Sequence, residues 1–261
     1  MDKNQMSCDL QFTSADISVG HTPILHDLSL SFPRGQITVL LGPNGCGKTS
    51  LLQCLNGMSS VSSGSLIYQG ESLIDMPGRK RARKIAFLPQ VRSIIPSIPV
   101  HTLVEHGRFP YLGFSRRPNA EDRRLVDQAM KACGVLSYAD RNVDTLSGGM
   151  RQRVFLAMVL AQAAPVIVLD EPTTYLDPKS QNEIMDLVTS LRDRGKTIIM
   201  VLHDLAQAAR TADYLVIMSD ARRVIVSGPK EEVLDTSAIS DVFGVTMHRV
   251  SIDGGWHYLF F

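Results

Sequence analysis

One stretch of the chain combines glycines, a lysine and a threonine at a spacing that can bind phosphate. We name it the phosphate loop, and its residues are Gly42, Pro43, Asn44, Gly45, Cys46, Gly47, Lys48, Thr49 and Ser50. Its glycines let several backbone N–H groups point at one phosphate chain, because no Cβ restricts the backbone there. Lys48 can supply a full charge to the β- and γ-phosphates, and the Thr49 hydroxyl can ligate Mg2+. The stretch therefore predicts a site for a nucleoside triphosphate with Mg2+.

Apolar residues on both sides of the phosphate loop predict the elements that hold it. Ile37, Val39 and Leu41 alternate with other residues as in a strand, and leucines at 51, 52 and 55 are typical of a helix. A strand, a glycine-rich loop and a helix form the context that this motif requires, and the helix start adds the positive end of its dipole. A glycine-rich turn that matches by chance would not need these flanks, so we favour nucleotide binding.

Two adjacent acids, Asp170 and Glu171, follow an apolar run at residues 165–169 that predicts a buried parallel strand. Carboxylates at such a place are costly unless they meet a cation or have a chemical task. Asp170 can hold the Mg2+ shell, and Glu171, on the opposite side of the strand, can polarise a water for attack on the γ-phosphate. The alternative is a pair of acids that caps the turn beginning at Pro172; the phosphate loop favours the catalytic interpretation.

Residues 146–152 form a second possible anion-binding segment, of sequence Leu-Ser-Gly-Gly-Met-Arg-Gln. Ser147 is a predicted N-cap, Gly148 and Gly149 allow N–H groups to converge, and a helix is predicted over residues 151–163. A Ser-Gly-Gly cap is also common without any ligand, so the residues alone leave both interpretations open. One chain does not need two phosphate cradles for one nucleotide.

Length and composition indicate one large domain, or a core with an inserted lobe. The chain has 261 residues, 44% of them hydrophobic and 20% charged, with a formal net charge of +1. Proteins that bind nucleic acid usually carry a strong basic excess, and this composition does not. The basic run at residues 79–84 could form a nucleic-acid or lipid patch, but such a run is more commonly a solvated face.

The cysteines and the apolar segments favour a soluble chain in a reducing compartment. The cysteines are Cys8, Cys46, Cys54 and Cys133. They show no C-x-x-C spacing, which argues against a disulfide framework or a zinc site. Residues 1–6 do not lead into the apolar region of a signal peptide, so none is expected. The apolar stretch at 154–169 is interrupted and too short for a membrane-spanning helix. We interpret that stretch as a buried helix followed by a buried strand, so any membrane role must come through a partner.

Turn residues and hydrophobic periodicity predict the remaining elements. They predict a hairpin over residues 16–32 with a turn at 33–35, a Ser/Gly loop over 59–64, and strands around Leu66 and over 85–88. A helix is predicted to begin after the cap Asn119, with Asp122 at N3, and to stop at Gly134. The last predictions are a helix over 180–194, strands over 197–202 and 224–226, a turn at 228–229 and a helix over 231–234.

Six segments in order resemble the ATP-binding subunits of ABC transporters. They are residues 42–49, Gln90, residues 146–152, residues 166–171, residues 176–177 and His203. The resemblance implies an α/β fold, in which a P-loop NTPase with a RecA-like core carries an antiparallel β subdomain and an inserted helical subdomain. It implies one ABC ATP-binding domain over residues 1–261, with the core and β subdomain in 1–90 and 164–261 and the helical subdomain in 91–163.

The resemblance also implies roles for individual residues. Two copies would enclose two ATP molecules with Mg2+, each between the phosphate loop of one copy and the Ser-Gly-Gly segment of the other. Gln90 would link Mg2+ or the attacking water to the permease contact, Asp177 would cross the dimer interface, and His203 would hydrogen-bond the γ-phosphate. The implied catalytic residues are Lys48, Gln90, Glu171 and His203; the implied Mg2+ ligands are Thr49, Gln90 and Asp170; the implied nucleotide contacts outside the phosphate loop are Ser147, Gly148, Gly149, Gln152 and Asp177.

Three segments resemble the ATPases of importers for ferric siderophores, haem and cobalamin, namely residues 87–90, 107–113 and 170–177. The implied function is ATP-driven uptake of a metal chelate, with a ferric siderophore favoured over haem or cobalamin. The implied partners are a second copy, a transmembrane permease dimer and, indirectly, a substrate-binding protein. The implied location is the cytoplasmic face of a bacterial inner membrane, with no nucleic acid bound. The alternative for residues 108–113 is an ordinary surface loop with an aromatic anchor.

Three departures from the family pattern concern the nucleotide site. Val19, Gly20 and His21 occupy the region where the family places an aromatic residue against adenine, so His21 is one candidate for that contact. Cys46 stands where Ser or Ala is common, and Met150 replaces a frequent Gln.

A soluble ABC-type ATPase that acts on ribosomes or DNA is the alternative class. Such proteins usually carry two cassettes, coiled coils or a basic surface, whereas this chain shows one cassette and a net charge of +1.

Overall fold

The computed structural model describes residues 8–90, 97–113, 117–252 and 255–261. It confirms the predicted α/β class. The strands are β1 (Cys8–Val19), β2 (Thr22–Pro33), β3 (Ile37–Leu41), β4 (Ser60–Tyr68), β5 (Glu71–Ser72), β6 (Ile85–Leu88), β7 (Val166–Asp170), β8 (Thr197–Val201), β9 (Tyr214–Met218), β10 (Val224–Pro229), β11 (Met247–Ile252) and β12 (Gly255–Phe260). The α-helices are α1 (Lys48–Asn56), α2 (Gly78–Ala82), α3 (Val100–Glu105), α4 (Ala120–Ala132), α5 (Gly148–Ala161), α6 (Pro178–Asp193), α7 (Leu205–Thr211), α8 (Lys230–Leu234) and α9 (Ala238–Phe243).

Residue contacts divide the chain into two compact units. One holds the described residues up to Met76 together with Arg192–Phe261, and the other spans Pro77–Leu191. Within the described part of the predicted helical subdomain, the elements are α3, α4, α5 and three short 3-10 turns. The bounds of 91–163 for that subdomain stay a prediction, and residues 91–96 lie outside the described residues. None of the helices in the described ranges has the length and apolar character that crossing a membrane requires.

An antiparallel sheet in the order β2-β1-β4-β5 lies in the first unit. The predicted hairpin is confirmed, although it begins at Cys8 and its connecting turn is at Gly20 and His21. The loop predicted over residues 59–64 is wrong, because most of it belongs to β4. Its polar residues pair with β1, as in Ser60 with Ser18, and ladder hydrogen bonds of this kind override weak strand propensity.

Parallel strands form the buried centre of each unit. In the first unit β10, β9, β3 and β8 lie side by side in that order, and β3 runs parallel to β8 and β9. All five residues of β3 and of β8 are buried. In the second unit β6 pairs in parallel with β7. The turn predicted at residues 228–229 is wrong: Gly228 and Pro229 continue β10 and pair with β9, and Pro229 is tolerated because β10 is an edge strand.

Helix caps in the second unit follow the sequence signals closely. Asn119 Oδ1 accepts from Asp122 N at 2.9 Å and Asp122 Oδ2 accepts from Asn119 N at 3.0 Å, which confirms the predicted start of α4. Gly134 has a φ of +67° just beyond this helix, as the predicted stop requires. The helix predicted over residues 151–163 begins earlier, at Gly148, because Ser147 caps it directly. The apolar stretch at 154–169 lies in α5 and β7, as predicted.

The basic run at residues 79–84 is a solvated face only in part: Arg79, Lys80 and Arg83 are exposed, whereas Arg81 and Lys84 are half-buried. Helix α2 covers its first half and buries none of its residues. Arg79 Nε and Arg83 Nε donate to Pro110 O at 3.0 and 2.9 Å, so part of this charge is used to hold a neighbouring loop.

Candidate nucleotide site

The phosphate loop connects β3 to α1 in the first unit. Gly45 and Gly47 have φ angles of +80° and +102°, a conformation that L side chains rarely adopt. At Gly42 a Cβ atom would lie 2.6 Å from the Met218 carbonyl oxygen, so this position has no room for a side chain. Gly47 is the N-cap of α1 and makes no side-chain cap hydrogen bond to this helix. The loop thus has the backbone that an anion cradle needs.

Lys48, the first residue of α1, is buried and points its ammonium group at the loop backbone. Its Nζ atom donates to Gly42 O at 2.7 Å and to Pro43 O at 2.8 Å, and it lies 3.7 Å from the Sγ atom of the buried Cys46. These contacts fix a positive charge inside the loop. Phosphate oxygens can replace the two carbonyls as acceptors, because a charged acceptor binds an ammonium group more strongly.

Polar side chains surround this cradle on the same loop. Asn44 is exposed at its rim, whereas Thr49 is exposed and Ser50 is half-buried in the first turn of α1. The Thr49 hydroxyl is a hard oxygen ligand of the kind that Mg2+ prefers. The residues of the phosphate loop therefore fit a triphosphate that carries Mg2+.

His203 lies two residues after the end of β8. Since β8 and β3 run parallel, the carboxyl ends of both strands lie at the same edge of the sheet, where ligands bind in α/β folds. His203 is exposed there, and Asp204 caps α7 by accepting from Gln207 N at 2.9 Å. This placement suits the expected contact of His203 with a γ-phosphate, which stays a prediction.

The turn between β1 and β2 carries the candidate adenine contacts. Val19 is 42% exposed, and Gly20 and His21 are exposed as well. At the start of β2, Ile24 Cγ2 and Leu25 Cδ2 lie 3.2 and 3.0 Å from the position that a Cβ of Gly47 would take. The hairpin therefore packs against the phosphate loop, and the contact of His21 with adenine stays a prediction.

The two predicted acids lie at the end of β7 in the second unit. Asp170 is 2% exposed, and Glu171 has a φ of +52°, in the left-handed region. Gln90 Nε2 and Thr174 Oγ1 both donate to Glu171 Oε2, the second at 3.0 Å. The structure thus brings Gln90 and Glu171 together. Thr174 was not predicted from the sequence; its signal is a hydroxyl three residues after the acid.

The turn that follows Glu171 is held from two helices. Gln152 Nε2 of α5 donates to Pro172 O at 2.9 Å. Gln181 Nε2 of α6 donates to Leu176 O at 3.1 Å. Gln181 was not predicted, because a polar residue on a helix gives no signal of which carbonyl it meets. The nucleotide contact expected of Gln152 stays a prediction, and in the structure its amide is donated to the chain itself.

Ser147 and the two glycines after it form the start of α5 at the wall of a cavity of about 650 Å3, which we name the signature cavity. Ser147 Oγ accepts from the backbone N–H three residues on at 3.4 Å, which confirms the predicted cap. Arg153 and Lys179 line the same cavity together with the acids Asp177 and Glu183, and Arg153 forms an ion pair with Glu183. The helix start supplies the partial positive charge that suits a phosphate group.

Asp177 lines the signature cavity and directly precedes α6. Its carboxylate accepts from Ser180 Oγ at 2.7 Å and from Ser180 N at 3.0 Å. These hydrogen bonds lower the pKa of Asp177, so the residue is an anion at neutral pH. Its neighbour Tyr175 is 84% exposed. The expected crossing of Asp177 to a second copy stays a prediction.

Arg108 lies in the segment at 107–113 that resembles chelate importers, and it is only 4% exposed. Its Nε atom donates to Asp122 Oδ1 at 2.9 Å and its Nη1 atom donates to Ala161 O at 2.8 Å. Its guanidinium carbon lies 3.9 Å from the centroid of the Tyr111 ring. The surface-loop interpretation is therefore wrong for Arg108, whereas Phe109 beside it is 55% exposed.

Replacing Arg108 with alanine should lower the free energy of unfolding by about 3–5 kcal/mol, because the Asp122 carboxylate would stay buried without its cation. Arg124→Ala is the matched control, since Arg124 forms an exposed ion pair with Glu121 on the same helix. We expect a much smaller loss for this control. Urea unfolding of both variants measures the difference, and equal losses would contradict the buried pair.

Comparison with known proteins decides the family. Residues 25–174, more than half of the chain, match the ABC transporter family. This chain belongs to that family. Among relatives of this ABC protein, the iron(3+)-hydroxamate import ATP-binding protein FhuC of Bacillus subtilis is 40% identical, over 90% of this chain and 87% of its own length.

Two further similarities characterise this ABC protein. The hemin import ATP-binding protein HmuV of Pseudomonas entomophila is 40% identical, over 87% of this chain and 89% of its own length. A dimeric ATP-binding cassette solved in a post-hydrolysis state with ADP and phosphate has a TM-score of 0.74 at 26% identity, over 85% of this chain and 98% of that one. The chain is thus an ATP-binding, ATP-hydrolysing ABC subunit with the P-loop NTPase fold of ABC cassettes.

Proposed function

We propose that this ABC ATPase energises the uptake of a metal chelate, with a ferric siderophore as the favoured cargo. The observation that carries the proposal is the 40% identity, over 90% of the chain, to a protein named for iron(3+)-hydroxamate import. Haem is the second candidate cargo, because a relative named for hemin import is also 40% identical. The likeness of residues 107–113 to chelate importers supports the same class of cargo.

The phosphate loop binds the triphosphate of ATP in this proposal. Lys48 exchanges its bonds to Gly42 O and Pro43 O, at 2.7 and 2.8 Å, for the more favourable phosphate oxygens. Backbone N–H groups around Gly45 and Gly47 and the start of α1 add partial positive charge. His203 donates a hydrogen bond to the γ-phosphate.

Three oxygen donors are assigned to Mg2+, namely the Thr49 hydroxyl, the Asp170 carboxylate and the Gln90 amide oxygen. Hard oxygen ligands of this kind suit the ion, and bound Mg2+ would neutralise charge on the phosphates. Glu171 orients the attacking water and accepts its proton. Gln90 and Thr174, which donate to Glu171 Oε2, set the direction of this carboxylate.

A second copy completes each nucleotide site. One chain carries two anion-binding segments, the phosphate loop and the start of α5, and one triphosphate requires a single cradle. Each ATP is therefore held by the phosphate loop of one copy and by Ser147, Gly148 and Gly149 of the other, with Asp177 at the interface. A permease dimer and, indirectly, a substrate-binding protein are the further partners, and they locate the ATPase at the cytoplasmic face of the inner membrane.

Reconstitution in liposomes with the cognate permease and binding protein tests the cargo. We expect a ferric hydroxamate to stimulate ATP hydrolysis and to accumulate in the vesicles, and Glu171→Gln to abolish both effects. Hemin and cobalamin are assayed separately under the same conditions. Stimulation by either of these alone would overturn the siderophore assignment, and stimulation by ribosomes or DNA instead would favour a soluble ABC ATPase.

A further inference from the structure

Gln152 connects helix α5, whose start lines the signature cavity, to Pro172, the residue after the catalytic acid Glu171. It lies in α5, five residues beyond the cap Ser147, and its Nε2 atom donates to Pro172 O at 2.9 Å. Pro172 directly follows Glu171 in the chain. A single side chain therefore connects the helix that begins at the signature cavity with the turn that carries Glu171.

The catalytic turn, residues 171–176, has a strained backbone and two long backbone hydrogen bonds. Glu171 and Tyr175 have φ angles of +52° and +64°, a left-handed conformation that is costly for residues other than glycine. Its backbone bonds from Thr174 N to Glu171 O and from Leu176 N to Thr173 O are both 3.4 Å, near the upper limit for a hydrogen bond. The amide donors that reach the turn from α5 and α6 therefore help to hold it, together with the bond from Thr174 Oγ1 to Glu171 Oε2 at 3.0 Å.

A second contact links the start of α5 to the end of this turn. A Cβ atom at Gly149 would lie 3.2 Å from Ser180 Oγ, so the first turn of α5 is packed closely against α6. The Ser180 hydroxyl in turn donates to Asp177 Oδ2 at 2.7 Å. The start of α5 thus packs against the segment that follows the catalytic turn, and Gln152 of the same helix bonds to Pro172 near the beginning of that turn.

We propose that Gln152 is a positioning residue that transmits occupancy of the signature cavity to Glu171 of the same copy. Phosphates held by the partner copy bind Ser147 and thereby fix the position of the start of α5. Gln152 then draws Pro172, and with it the Glu171 carboxylate, into the position required for hydrolysis. Glu171 acts on the ATP of its own phosphate loop, so Gln152 links the two ATP sites. This inference rests on the two-copy arrangement of the proposed function.

The variant Gln152→Met tests this role, because methionine keeps the length of the side chain and removes the amide donor. We expect kcat for ATP hydrolysis by the full chain to fall about tenfold, the effect of one lost hydrogen bond, with KM and thermal stability unchanged. In a Glu171→Gln background, the ATP-dependent dimer should still form in gel filtration. A wild-type kcat would overturn the proposal, as would a joint loss of kcat, ATP affinity and thermal stability.

Gln181→Met is the matched control, because Gln181 donates to the same turn from a helix that does not begin at Ser147. Each variant is combined with Ser147→Ala. Gln152→Met should add less than about twofold to the effect of Ser147→Ala, since both interrupt one link, whereas the effect of Gln181→Met should multiply with it. Independent effects of Gln152→Met and Ser147→Ala would overturn the proposal.

These outcomes separate the inference from the proposed function. Failure of the import function appears as the absence of chelate-stimulated hydrolysis with the permease, whereas the Gln152 rates are measured on the full chain alone. Failure of the Glu171→Gln protein to dimerise with ATP would overturn the two-copy arrangement and this inference together.

Discussion

A Lys48→Ala variant is expected to hydrolyse ATP about 1,000-fold more slowly than the wild type and to bind ATP about 100-fold more weakly. The reason is electrostatic. Lys48 carries a full charge inside the phosphate loop, where its Nζ atom already meets two carbonyl oxygens at 2.7 and 2.8 Å. A truncated side chain leaves the phosphate oxygens without this donor. Titration with a fluorescent ATP analogue and a steady-state ATPase assay measure the two effects.

Two further variants distinguish the effect of the Lys48 charge from a general effect of removing or replacing a lysine. Lys131→Ala removes an exposed lysine from α4 and should leave ATP affinity and turnover unchanged. Lys48→Arg keeps the charge but replaces a compact ammonium with a planar guanidinium, and we expect it to recover binding better than turnover. Normal ATP affinity in Lys48→Ala would show that the phosphate loop does not bind the triphosphate.

The phosphate loop could be predicted from the sequence because its requirements are local. The left-handed backbone at Gly45 and Gly47 follows from glycines at a fixed spacing. The capping box of Asn119 and Asp122 was predicted for the same reason, since each partner lies within one helical turn of the other. Interactions between residues within one turn of the chain can be inferred from the types of neighbouring residues.

Contacts between distant segments could not be predicted in this way. Ser60 was predicted to lie in a loop but lies in strand β4, because it pairs with Ser18 of β1. The burial of Arg108 was not predicted, because it depends on Asp122 and a helix carbonyl that satisfy its guanidinium. Gln152 shows the same limit, since composition reveals a polar group but not the group that it meets.

Whole elements were missed where their hydrophobic pattern was short. No strand was predicted over Tyr214–Met218, although all but one of its residues are buried, because an apolar run of this length does not distinguish strand from helix. The hairpin of β11 and β12 also went unpredicted. Its strands pair with each other along their whole length, a relation that periodicity within either strand does not reveal.

Glu171→Gln is the second variant with a large expected effect, a fall in kcat of about 1,000-fold with ATP binding retained. The amide has the shape of the carboxylate and can still accept hydrogen bonds from Gln90 and Thr174, so the turn should keep its structure. It cannot accept a proton from the attacking water. Two copies that close around ATP would therefore stay closed.

The measurement that distinguishes this trapped state is gel filtration with and without ATP. Glu171→Gln should elute as a dimer only with ATP, and the wild type should return to its ATP-free position as the nucleotide is consumed. Glu121→Gln is the matched control, because Glu121 is an exposed acid on α4 that pairs with Arg124. Ordinary turnover by Glu171→Gln would show that another group activates the water. A loss of kcat without a trapped dimer would instead show that closure of the two copies does not precede hydrolysis. Ser147 of the second copy would then not be required to bind the ATP.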